Sequence, residues 1–309
     1  MNHIIECISV TRAYGKTTAV DNVSFTVEQG EVFGVVGPNG AGKTTLIEML
    51  EGLRFPDSGS LRVMGIDPSA GSAMLKERIG VQLQSTSVQP GIRVREAIRL
   101  FSSFYPWPVR DPDELLEELF LNHRQDSSFE KLSGGEKQRV AIALALVNDP
   151  EVIFLDELST GLDPASRRRM WELVGKMKDR GQTVVMTTHY MEEAEALCDR
   201  VAVLDHGRII ALDTPRSLIS QLEAGSRVSF RAPGVGMDGG WPEAEALPGV
   251  IRATRSGDEY LLLTADASTT VQELVRAADR SGYALEGIRM DVSSMDDVFL
   301  ALTGRQLRQ

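Results

Sequence analysis

The stretch "VFGVVGPNGAGKTTLIEML", residues 32–50, decides how this chain is read. A short Val-rich run enters a glycine-rich turn, and a helical pattern leaves it at Lys43. Residues 37–44, "GPNGAGKT", fit G-x-x-x-x-G-K-[ST] between a strand and a helix, the context that gives the pattern physical meaning. Gly37, Gly40 and Gly42 allow main-chain N–H groups to turn toward an anion, and the helix N-terminus adds positive potential. Lys43 is then placed to reach the β and γ phosphates of a nucleoside triphosphate, and the Thr44 hydroxyl to bind Mg2+. Pro38, Asn39, Ala41 and Thr45 complete the expected ATP cradle.

A second segment supplies partner chemistry. "EVIFLDEL" (151–158) carries Asp156 on apolar residues to a strand end, where it can hold Mg2+ indirectly. Glu157 follows at once, toward an attacking water, and a general base contributes roughly 10²- to 10⁴-fold. Nucleotide hydrolysis is the expected reaction. A further glycine pair, in "KLSGGEKQRV" (131–140), also opens a helix. Alone it reads equally well as a helix capped by Ser133 with Glu136 in the first turn.

Around these motifs the chain alternates strands and helices. "VFGVVG" (32–37), "EVIFLD" (151–156), "TVVMTTH" (183–189) and "RVAVLDHG" (200–207) read as strands, and the first three lack strict alternation, as strands covered on both faces do. "DPASRRRMWELVGKMKDRG" (163–181) reads as a helix capped by Asp163 and left at Gly181. The pattern predicts an α/β fold with a largely parallel core sheet. Residues 2–31 predict an antiparallel β layer, and residues about 86–148 a helical subdomain. The nucleotide-binding part is assigned to residues 1–222. Residues 223–309 form a small α+β appendix: a loop-rich start, a hairpin turning at "SGD", a helix, a strand and a last helix.

Composition narrows the functional class. With 309 residues, a formal net charge of -11 and 33 Lys and Arg against 44 Asp and Glu, the chain is a poor match for nucleic acid as its main ligand. Cys7 and Cys198, the two cysteines, have no metal-ligand spacing, consistent with reduced thiols. No apolar run approaches the ~18–20 residues that cross a bilayer, and the N-terminus lacks a signal-peptide pattern.

Taken with the phosphate loop, Asp156 and Glu157, the residues "LSGGEKQ" (132–138), "GLDP" (161–164) and His189 resemble the ATP-binding cassette (ABC) family over about residues 3–220. The resemblance implies a P-loop NTPase cassette in which two copies meet head to tail and sandwich each ATP. Ser133, Gly134 and Gly135 would then contact the γ-phosphate held by the partner's Lys43. Tyr14 would stack on adenine, although a core or surface tyrosine is the rival reading. Gln84, with Gln82 as the alternative, would be the glutamine sensing Mg2+ and water. Asp163 would lie in the loop crossing the dimer interface, and His189 would contact the γ-phosphate. Two positions depart from the family pattern: Leu158 where Pro is usual, and Glu136 where Gln is frequent.

The tail "SSMDDVFLALTGR" (293–305) resembles the bacterial drug- and antibiotic-resistance exporter ATPases of the daunorubicin-resistance type. This implies a homodimeric ATPase, cytoplasmic and peripheral on the inner face of the membrane. It would drive export of a drug, antibiotic, lipid or ion through a separate multi-span permease. Import, ribosome- or DNA-associated work, and a non-hydrolysing role are the alternatives.

Overall fold

Two twelve-residue strands, β1 (His3–Tyr14) and β2 (Thr17–Glu28), open the fold as an antiparallel pair, and β4 (Ser58–Val63) joins the free edge of β1. Together they give a three-stranded layer of order β2-β1-β4. The computed structural model describes residues 3–71, 73–82, 88–89, 91–106, 109–222, 226–233, 235, 241–291 and 293–303. Among these the chain divides into two units between Pro215 and Arg216.

The first unit is built on a second sheet, whose strands are β3 (Val32–Val36), β5 (Ile79–Gln82), β6 (Val152–Asp156), β7 (Thr183–Thr188), β8 (Arg200–Asp205) and β9 (Arg208–Asp213). Their order is β5-β6-β7-β3-β8-β9, parallel except for β9 on the edge. Every residue of β3, β6 and β7 is buried, as their unbroken apolar and Thr runs require. The helices of this unit are α1 (Lys43–Leu50), α2 (Ala73–Arg78), α3 (Val94–Ser102), α4 (Pro112–Glu118), α5 (Gly134–Leu146), α6 (Pro164–Asp179) and α7 (Met191–Leu197), and α8 (Pro215–Ser220) begins at the boundary.

One core joins the antiparallel layer to the parallel sheet. Phe25 of β2 stacks on Phe33 of β3 with centroids 5.1 Å apart. Leu46, Ile47, Met49 and Leu50 of α1 are at most 2 % exposed in the same cluster. Each such side chain contributes about 1.5–3 kcal/mol by leaving water. The burial anchors α1, and with it the loop that α1 terminates.

The second unit is a four-stranded antiparallel sheet of order β11-β12-β10-β13, from β10 (Ser226–Arg231), β11 (Val250–Ser256), β12 (Glu259–Thr264) and β13 (Glu286–Asp291). Its helices are α9 (Pro242–Glu245), α10 (Ala267–Ser281) and α11 (Met295–Thr303). Phe230 stacks on Tyr260 at 5.1 Å and meets Trp241 edge-on at 6.3 Å, over Leu262, Leu274 and Ala277. The sequence reading of 227–241 as loop-rich needs correction over its first five residues. "SRVSFR" is an interior strand, whose alternation buries Val228 and Phe230 and turns Arg227, Ser229 and Arg231 outward.

Candidate active site

The loop between β3 and α1 fits its surroundings too closely for side chains at two points. A Cβ on Gly37 would sit 2.1 Å from the Leu204 carbonyl oxygen, and one on Gly42, at φ 107°, 2.1 Å from that of Ala19. Only glycine tolerates both the contact and the left-handed backbone at Gly42. The loop therefore wraps tightly over β8 and β2, while α1 starts without a side-chain cap and without an acidic residue in its first turn. Among the described residues no side chain caps its leading N–H groups, the condition for a phosphate site.

Lys43, 5 % exposed, bends its ammonium back to donate to the carbonyls of Gly37 (2.8 Å) and Pro38 (3.1 Å). Burial lowers its pKa, and the Glu157 and Asp156 carboxylates pull it back up. A pocket of about 330 Å3 opens there, lined by Ala19, Asn39, Gly40, Gly42, Lys43, Thr44, Thr45 and Glu157. Ala19 was invisible to motif reading, because β2 reaches the pocket only through the tertiary fold.

Asp156 ends β6 and is buried; burial raises its carboxyl, and a hydrogen bond from the Thr187 hydroxyl works against that rise. Thr187 of β7 also accepts the Glu157 N–H at 3.0 Å, so one hydroxyl holds both members of the acidic pair. Thr187 was missed because it belongs to no recognised motif. Glu157 has φ 50°, a left-handed conformation for a residue with a side chain. Such a backbone costs on the order of 1 kcal/mol or more and marks a position whose direction the surroundings impose. Its Oε2 accepts from Thr160 Oγ1 (3.3 Å), and Oε1 lies 3.6 Å from His189 Nδ1 at the end of β7. Leu158 is fully buried. Gln82 is buried on β5, its Nε2 directed at the Asp156 carbonyl at 3.5 Å; Gln84 lies outside the described residues.

The second glycine-containing loop does not line this pocket. Ser133 caps α5 in a reciprocal box with Glu136. Glu136 Oε2 accepts from the Ser133 N–H (2.8 Å) and hydroxyl (2.9 Å), and Oε1 accepts from Arg124 Nε (2.8 Å) with His123 Nε2 at 3.4 Å. Burial pushes the Glu136 carboxyl up, but the Ser133 N–H, the Arg124 guanidinium and the Ser133 hydroxyl outweigh it and hold it at about 2. This answers why a carboxylate is tolerated at that position: its charge is spent inside the loop. Gly134 and Gly135 form the first turn beyond the cap, and a Cβ on Gly135 would stand 3.1 Å from Ser166 Oγ. Ser166 in turn donates to Asp163, which caps α6 through the N–H groups of Ala165 and Ser166, both at 3.0 Å. Asp163 and the Ser133 loop therefore stand side by side on the unit.

Tyr14 ends β1, exposed, and is absent from the pocket lining. The guanidinium of Arg12 lies 4.9 Å and that of Arg54 5.5 Å from its ring centroid. Arg54 also donates to its hydroxyl at 3.1 Å.

A parallel sheet, a glycine loop that feeds a helix N-terminus, and an acidic pair beside it define a P-loop nucleoside triphosphatase. Residues 20–160 match the ABC transporter family profile. The chain is 37 % identical over 312 residues to the Nod factor export ATP-binding protein I of Rhizobium sp. (strain N33), covering 99 % of this chain and 98 % of that protein. To the protein of the same name from Paraburkholderia xenovorans (strain LB400) it is 38 % identical over 311 residues, 98 % of each. Among solved structures, an ATP-binding subunit of an ABC transporter superposes with TM-score 0.64 at 27 % identity, covering 71 % of this chain and 92 % of its own. A dimeric ATP-binding cassette in a post-hydrolysis state with ADP and Pi superposes with TM-score 0.62 at 26 % identity, covering 68 % and 98 %. The chain belongs to the ABC transporter family, as an ATP-binding cassette with ATPase activity.

Proposed function

We propose that this cassette drives export through a separate multi-span membrane permease, as a homodimer whose two composite sites close on ATP. The observation that carries the catalytic reading is the convergence of Lys43, Thr44 and Glu157 on one pocket, with Asp156 next to Glu157 in sequence and held by the same Thr187 hydroxyl. Export is supported by the names of relatives that match this chain along nearly its whole length. Among the described residues no helix is long and apolar enough to cross a membrane, so movement of cargo needs another chain.

The residues divide the work. The N–H groups of Gly40 to Thr45 and the Lys43 ammonium bind the phosphates; Pro38, Asn39 and Ala41 shape the turn. The Thr44 hydroxyl and the Asp156 carboxylate are hard oxygen donors of the kind Mg2+ takes alongside phosphate oxygens and water. That ion would neutralise charge developing on the transferred phosphoryl group. Glu157 takes the proton of the attacking water, and His189, beside it, orients toward the γ-phosphate. Gln84 or Gln82 senses the filled site. Tyr14 stacks on adenine once Arg12 or Arg54 yields one ring face. Ser133, Gly134 and Gly135 reach the nucleotide of the partner subunit, with Asp163 at the interface. Residues 1–222 would form the cassette and 223–309 an accessory domain.

Differential affinity for ATP shifts the cassettes to the closed pair, and hydrolysis reverses the shift. Co-purification from solubilised membranes tests the permease assignment. A multi-span partner retained with the chain is expected; repeated isolation with ribosomes or DNA instead would overturn export.

A further inference from the structure

The sheet of the second unit has a face that ATP hydrolysis does not use. Alternation sends Val228, Phe230, Tyr260 and Leu262 into the core, and so turns their neighbours to the opposite side. The pairing register aligns those neighbours in rows. Thr254, Leu261, Ser229 and Arg289 form one row across all four strands, and Ser256, Glu259 and Arg231 form the next. A third row holds Arg252, Leu263, Arg227 and Asp291. Over the first two rows lies a concavity of about 670 Å3, which Arg255 also lines.

Arg231 and Arg289 are exposed, and neither guanidinium has a hydrogen-bond or ion-pair partner among the described residues. Glu259 lines the same concavity and Glu286 pairs in register with Arg231, yet neither carboxylate is within ion-pair distance of it. In a chain of net charge -11, surface guanidinium groups would ordinarily meet the abundant carboxylates. Here Arg227, Arg231, Arg252 and Arg289 share one face with the acidic positions Glu259, Glu286 and Asp291, four Arg positions to three acidic ones. Beside them stand the Ser229, Thr254 and Ser256 hydroxyls, with Leu261, 41 % exposed, as an apolar floor.

The geometry points to a binding site on this open sheet face for a small phosphate-bearing ligand. Guanidinium forks match tetrahedral oxyanions bidentately, and the Ser229 and Ser256 hydroxyls supply further donors to phosphate oxygens, whereas the Thr254 hydroxyl donates to the Leu261 carbonyl at 3.3 Å. Leu261 provides contact for the body that carries the phosphate. The residues of the site all belong to the second unit.

Calorimetric titration of the full chain, kept saturated with Mg–ADP to fill the cassette, tests this with glycerol 3-phosphate and inorganic phosphate as probes. Saturable binding is expected, weakened about tenfold for each of Arg231→Gln and Arg289→Gln and unchanged by Lys43→Ala. ATP turnover and Tm of the two arginine variants should match the parent, which separates lost binding from lost folding. Equal affinity in the arginine variants, or loss of binding in Lys43→Ala, would overturn the proposal. So would absence of binding to either probe. Vesicles of phosphatidylcholine with and without phosphatidylglycerol form the second arm. Arginine-dependent capture by the anionic vesicles without binding of the soluble probes would make the face a membrane contact and refute a small-molecule site.

Discussion

Replacing Glu136 separates its two jobs, capping α5 and pairing with Arg124. Its carboxyl titrates near 2 in the folded chain against an ordinary 4.5, a gap equivalent to about 3 kcal/mol. Arg124 is 43 % exposed, so water screens the pair, and about 2 kcal/mol is the figure expected for Glu136→Ala. Glu136→Gln keeps an acceptor for the Ser133 N–H and loses only the charge, about 1 kcal/mol. At roughly 2–4 °C per kcal/mol for a unit of this size, Tm should fall about 4–8 °C for Ala and about half that for Gln. Because the folded carboxyl is depressed, this stability is present above pH 4.5 and disappears as pH falls toward 2. Calorimetry at pH 7 on the two single variants, Arg124→Ala and the Glu136→Ala/Arg124→Ala double variant gives a coupling energy, expected at about 1 kcal/mol. Strict additivity, or Gln as damaging as Ala, would refute the division of roles.

Other perturbations probe the phosphate loop and its support. Gly42→Ala pushes a Cβ to 2.1 Å from the Ala19 carbonyl oxygen and should cost about 3 kcal/mol or more, with ATP binding lost; urea unfolding and nucleotide titration report both. Lys43→Ala removes the ammonium that faces the loop and should weaken ATP binding at least about tenfold, measured by calorimetry. Glu51 is buried with one oxygen unpartnered, and burial, aided by the Asp156 and Glu48 charges, pushes its carboxyl up to about 8. A raised carboxyl favours folding below its ordinary 4.5 and loses that advantage as pH climbs to 8. Glu51→Gln should therefore gain stability on the parent across that window, by on the order of 4–5 kcal/mol at its top, and a flat difference in Tm from pH 5 to 8 would refute the burial argument.

The elements legible in the sequence are those whose local chemistry and tertiary role agree. The strands 32–36, 152–156 and 183–188 read as covered on both faces and are buried throughout. Asp163 reads as a cap and accepts two N–H bonds as one. The hairpin expected at "SGD" is the β11–β12 connection. What was illegible depends on residues brought together from afar. Thr187 serves Asp156 and Glu157 from a different strand, and Ala19 reaches the pocket from the antiparallel layer. The left-handed backbone of Glu157 has no signature in "DEL", because propensity disfavours it there. Glu136 stood out as a departure, but its partners, Arg124 and His123, lie twelve and more residues away in a short turn with no pattern of its own. The strand 226–231 was hidden because the glycine- and proline-rich residues after it dominate the composition of the segment.

The sharpest test of a two-cassette ATPase with Glu157 as base is the behaviour of Glu157→Gln with Mg–ATP, followed together by phosphate release and by analytical ultracentrifugation. Turnover should fall by roughly 10²-fold or more, while ATP, and not ADP, converts the chain from monomer to stable dimer. Parent-level phosphate release, or a chain that stays monomeric at saturating ATP, would contradict the assignment.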